Sequence, residues 1–224
     1  MIPRILPFLL FMGFIGIEQG LRFLSEKGVV PLSDSELLYL YPIKAVSVAV
    51  LLLVLWPRYD EVRFRDLWKW KDAGLSVVVG VVVFVLWINL DRPWAVLGEP
   101  AGFDPTLISN GSVQAVLVGF RLFGAVLVVP VMEELFWRSF LLRYVIAHDF
   151  HNVPVGRFTW PSLIVVSILF ALAHHLVVAG FITGILYAVL LYRTKSIAQC
   201  ILAHGLTNLL LGIYVLQTGS WQLW

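Results

Sequence analysis

Glu133 and Glu134 stand side by side in PVMEELFWRSFLL, residues 130–142, a stretch otherwise as apolar as a membrane helix. An ionised side chain deep in a bilayer is costly, so carboxylates there are candidates for chemistry. Successive helix positions point about 100° apart, so the two cannot share one direction. Arg138 lies four residues after Glu134, where it can pair with that carboxylate and fix the helix rotation. Glu133 is left as the freer carboxylate, placed to act as a general base. His204 and Asn208 are also four apart and share one face of the last apolar segment. His174 ends a further apolar run, with His175 beside it as a packing residue or a support. A carboxylate, two imidazoles and an amide can together activate a water and hold a developing oxyanion. Glu18 and Lys44 read as structural, the first pairing with another span and the second reaching toward a boundary.

The elements that must carry these groups are membrane helices. Of 224 residues, 60% are hydrophobic and 13% charged, with a mean hydropathy of +0.89. A soluble domain is about half apolar and about a quarter charged. Several runs reach the roughly 18 apolar residues that cross a bilayer as helix. The fold class expected is all-α, a polytopic transmembrane helical bundle with about seven spans. These fall near residues 4–24, 36–56, 73–90, 112–146, 160–176, 178–193 and 197–217. The fourth is too long for one crossing and is expected to project from the membrane, while the fifth and sixth should form a tight hairpin. At about 1.5 Å per residue, Glu133 lies roughly 15 Å in from Arg143, His204 roughly 12 Å in from Ser196 and His174 roughly 20 Å in from Pro161. One buried polar site built from three helices is feasible at those depths, with His174 the most displaced.

The first apolar segment shows no small-residue cleavage pattern and reads as a retained span. Residues 57–72, PRYDEVRFRDLWKWKD, interleave basic and aromatic side chains in the manner of a membrane interface. Basic residues also favour 143–159 and 193–195, whereas the Pro/Gly-rich stretch 91–111 carries one Arg and three acids. The positive-inside rule then puts the N-terminus in the cytoplasm and, with seven spans, the C-terminus outside. A formal net charge of +2 is too small to suggest nucleic acid as a partner. The single cysteine, Cys200, excludes an internal disulfide and a cysteine metal cluster, and reads as a small core residue.

Taken in order, the motifs resemble those of the CAAX-protease and bacteriocin-processing family of intramembrane proteases. Glu133-Glu134-Leu-Phe-Trp-Arg138 matches its EExxxR motif, Phe170-Ala-Leu-Ala-His174 its FxxxH motif and His204-Gly-Leu-Thr-Asn208 its HxxxN motif. FITGILYAVLLYRTKSI, residues 181–197, is similar to a weaker third motif. The resemblance covers residues 112–217 and implies an endopeptidase of the compact prokaryotic form, integral to the cytoplasmic membrane. It implies that Glu133 and His174 activate a water, that His204 and Asn208 donate hydrogen bonds to the oxyanion, and that Glu134 and Arg138 shape the site from behind. The substrate class implied is a membrane-associated or lipidated protein or peptide, with membrane lipid as the other partner. No cofactor is expected. Zinc held by Glu133, His174 and His204 is the alternative, weakened by the lack of an HExxH helix.

The organisation expected is an N-terminal region of three helices over 1–111, a catalytic core of four helices over 112–217 and a short tail over 218–224. Two rival functions stay open. One is a non-catalytic membrane scaffold or bacteriocin-immunity protein of the same family. The other is a proton-coupled transporter relaying protons through buried Glu and His, which the lack of an inverted repeat disfavours.

Overall fold

The computed structural model describes residues 1–98 and 102–224, so residues 99–101 of the expected Pro/Gly-rich loop lie outside the described residues. Among the described residues the fold is carried by α1 (Ile2–Glu26), α2 (Leu40–Leu55), α3 (Trp70–Asn89), α4 (Gly111–Tyr144), α5 (Trp160–Leu172), α6 (Val177–Thr194) and α7 (Ile197–Thr218). Six helices are long and apolar enough to cross a membrane, α2 being counted with its flanking turns as Asp34–Arg58. Only α5 is shorter. The described residues contain no strand. Apolar side chains point outward, with Leu53 and Val54 about seven-tenths exposed, while Ser76, Glu134, Ser139 and Gln199 are buried. That inversion of the soluble pattern is what a lipid solvent selects. The chain is an all-α polytopic bundle and an integral membrane protein.

Helix ends follow local chemistry. The Asn110 side chain caps α4 by accepting from the N–H groups of Ser112 and Val113. Thr159 caps α5 by accepting from Ser162 N–H, with Pro161 in the first turn. α6 closes on Lys195 in the left-handed region, at φ 53°, and α7 on Gly219 at φ 70°.

Packing draws both halves of the sequence into one bundle. α3 runs along α7, and α1 lies against α2 and the second half of α4. A Cβ on Gly80 of α3 would stand 2.7 Å from the Ala203 carbonyl oxygen of α7, so only glycine permits that approach. On α6, a Cβ at Gly184 would meet Ser167 Cα at 2.9 Å, and one at Gly180 would meet Ala171 Cα at 3.1 Å. Small residues four apart let α5 and α6 touch backbone to backbone in the expected hairpin. The boundary differs from expectation: α5 stops at Leu172, and residues 173–176 form the turn.

α4 is one interrupted helix of 34 residues. Wide π-helical turns at Gly124–Val128 and Leu135–Leu141 flank a short α-helical stretch, Val129–Glu134. At its far end Arg143, read from sequence as a loop charge, is buried. Its guanidinium donates to Ser139 Oγ at 2.9 Å and lies 4.0 Å from Glu61. Glu61 explains that burial, because Arg4 of α1 also grips it with both fork nitrogens at 2.6 Å. Burial alone pushes the Glu61 carboxyl up. The hydrogen bonds from Arg4 and Ser139 outweigh that and hold it below its ordinary value. Glu61 thereby ties the 57–69 connection to α1 and α4. The same connection exposes Trp68 to 88% and, at the start of α3, Trp70 to 76%.

Candidate active site

The break in α4 begins the site. Val129 N–H donates to the Gly124 carbonyl, five residues back. In an α-helix that donor would serve Ala125, and the next position, Pro130, has no N–H to offer. The Ala125 carbonyl therefore lacks both its α- and its π-helical partner. Asn208 of α7 supplies one, its Nδ2 donating at 2.7 Å.

Beyond the break, the paired glutamates separate as expected. Glu134 is fully buried, and its Oε1 accepts from Arg138 Nη1 at 3.2 Å and lies 2.9 Å from His204 Nδ1. The Arg138 guanidinium packs 4.5 Å from the Phe170 ring centroid and 5.2 Å from that of Tyr187, so two aromatic faces cover it. Glu133 makes no ion pair or hydrogen bond among the described residues, and its Oε2 is buried without a partner.

The histidines carry readable tautomers. His174 lies not within α5 but in the turn after it, with Nδ1 2.6 Å from the Phe170 carbonyl. A carbonyl only accepts, so Nδ1 bears the proton and the neutral ring keeps a bare Nε2 as base. His204 Nδ1–H is likewise fixed by the Glu134 carboxylate, leaving its Nε2 for other work. His175 does not join them. Its Nδ1 meets the Leu97 carbonyl at 2.8 Å and ties the turn to the segment after α3.

Glu133, His174, His204 and Asn208 line one cavity of about 290 Å³, with Glu134 and Arg138 packed behind it. Tyr187 and Thr207 complete the wall, their hydroxyls 2.8 Å apart. Thr207 donates toward the Gly80 or Ala203 carbonyl, so Tyr187 is the donor in that pair. Trp87 places its ring edge-on to His174 at 5.5 Å while its Nε1–H donates to Thr183 at 3.1 Å. Phe11 and Lys44, from α1 and α2, also line the cavity. Lys44 was read from sequence as reaching toward a boundary and is instead buried here; the other wall residues were not singled out, because their types are ordinary in membrane helices. Arg121 was missed despite a legible signal, a lone cation inside an apolar span. Among the described residues no group of three or more His, Cys, Asp or Glu is arranged to hold a metal ion.

Fold and site together define a helical membrane protein with carboxylate and imidazole groups facing an internal cavity. Residues 114–210 match the family described as Type II CAAX prenyl endopeptidase Rce1-like. The matched region contains every motif residue from Glu133 to Asn208. No curated protein and no solved structure matches the chain.

Proposed function

We propose that the protein is a membrane-embedded endopeptidase that hydrolyses a peptide bond of a membrane-associated or lipidated protein or peptide. The observation that carries this reading is the unequal employment of adjacent carboxylates. Glu134 is committed to Arg138 and His204, whereas Glu133 has no partner among the described residues and faces the cavity.

In this reading Glu133 and His174 Nε2 hold a water between them. Its oxygen bonds to the scissile carbonyl carbon as its proton passes to Glu133, and the carbonyl electron pair moves onto oxygen. His204 Nε2 donates to that oxyanion, which requires a proton on each ring nitrogen. The Glu134 carboxylate at Nδ1 balances the resulting charge. Asn208 spends one N–H on Ala125 and has a second for the oxyanion. Collapse of the intermediate breaks the C–N bond, and the leaving amine takes the proton back from Glu133.

A zinc ion would need Glu133, His174 and His204 drawn together. They line one cavity but do not form a metal-holding group, so no step is routed through a metal. The test is cleavage by protein reconstituted in liposomes, using prenylated-cysteine peptides and unmodified membrane peptides with products read by mass spectrometry. Glu133→Gln should lower the rate at least about a hundredfold with folding intact. Wild-type protein that binds such peptides and cuts none would overturn the reading.

A further inference from the structure

Arg121 of α4 has no anion beside it among the described residues. Its guanidinium lies 4.5 Å from the Tyr41 ring centroid, 5.4 Å from that of Phe103 and 5.7 Å from that of Trp224. Its Nε is buried with no hydrogen-bond partner, and no carboxylate pairs with it among the described residues. Lys44 stands over the same Tyr41 ring at 5.0 Å and is buried without a hydrogen bond among the described residues. Its ion-pair partner, Glu18, is 3.8 Å away and also serves Arg22. Cation–π contact recovers only part of what burying the Lys44 ammonium and the Arg121 Nε costs. Lys44 and Arg121 both line the cavity that holds Glu133 and His174.

We infer that Lys44 and Arg121 form the carboxylate-binding end of the substrate cavity, seating a peptide's terminal or side-chain carboxylate while its scissile bond lies at Glu133. This rests on the hydrolase reading above. The planar guanidinium, held flat by aromatic rings, offers a fork matched to a carboxylate, and the ammonium adds a point charge. Arg121 precedes Glu133 by twelve residues on one helix. That separation is at most about 18 Å at helical rise. Extended peptide covers about 3.4 Å per residue, so the bound carboxylate lies about five residues or fewer beyond the cut bond. A peptide is favoured over a lipid headgroup because the cations and the hydrolytic groups share one cavity.

The experiment uses full-length protein in phosphatidylcholine liposomes and one cleavable prenylated-cysteine peptide in three forms: free acid, C-terminal amide, and amide with Glu as the last residue. Wild-type kcat/KM for the free acid should exceed that for the plain amide by about tenfold or more. Arg121→Gln should raise KM for the free acid toward that for the amide and so remove the difference, and Arg121→Lys should keep part of it. A Glu-ended amide as good as the free acid supports the inference with a side chain as the source. Equal turnover of acid and amide overturns it, as does a preference that survives both Arg121→Gln and Lys44→Met. Arg121-dependent competition by phosphatidylglycerol, with acid and amide indistinguishable, would make the pair a lipid site and also overturn it. If no peptide is cut, binding of acid and amide to Glu133→Gln protein by tryptophan fluorescence still decides. Preference for the acid sustains the inference while the hydrolase reading falls, and equal binding removes it.

Discussion

Asn208 on α7 donates its side-chain amide to the Ala125 carbonyl on α4 across 2.7 Å. The bond repairs the ladder where Pro130 cannot, so it bears on the placing of Glu133 as well as on any contact with substrate. Asn208→Ala should therefore cost about 1–3 kcal/mol of stability, the penalty of an orphaned buried acceptor, besides lowering activity. Denaturant unfolding in micelles measures the first effect. An unchanged unfolding midpoint would reduce Asn208 to a purely catalytic role.

The adjacent glutamates should separate by assay. Glu133→Gln should abolish cleavage and leave the unfolding midpoint in place. Glu134→Leu strands Arg138 in the core and should cost about 3–5 kcal/mol, the range for breaking a buried pair. The double variant Glu134→Leu with Arg138→Leu should be less destabilised than the single losses added together.

Acid should loosen the anchor between α1 and α4. Glu61 is held below its ordinary value in the fold, so its contribution is fully present above that ordinary value and is lost as pH falls through the lowered one. Thermal stability should drop below about pH 4. Glu61→Gln should flatten the profile over that window, and a profile identical to wild type would sink the assignment.

Cleavage should survive removal of divalent metal. Activity is measured after dialysis against a chelator and again after zinc is restored. Full loss followed by rescue would replace the glutamate mechanism with a metal one.

Substituting Gly184 should open the α5–α6 hairpin. A Cβ there falls 2.9 Å from Ser167 Cα, a backbone atom that cannot swing away. Gly184→Val should displace the turn that carries His174, seen as lower stability together with lower kcat.

The pairing geometry of the motif was legible because it is local. Spacings of four on a helix paired Glu134 with Arg138 and left Glu133 free, and the structure has both features. The setting was less legible because it depends on backbone register and on distant chain. His174 was expected inside a helix, since the turn at 173–176, Ala-His-His-Leu, has no Gly or Pro to mark a break. The first π turn of α4 precedes Pro130, whose missing N–H leaves Ala125 to Asn208 of α7, and hydropathy averages over both π turns. Arg4 and Glu61 are 57 positions apart and meet only once α1 is docked.

α5 has 13 residues, about 20 Å of helix, against a hydrocarbon core of about 30 Å. Hydrophobic mismatch of that size is relieved by local thinning of the bilayer or by hydrated headgroups dipping inward. One end of this short helix is the turn bearing His174, where the proposed hydrolysis would need its water. If the chain is the hydrolase proposed, acyl-chain length should then act on its rate, with short-chain lipids feeding the cavity and long-chain lipids starving it.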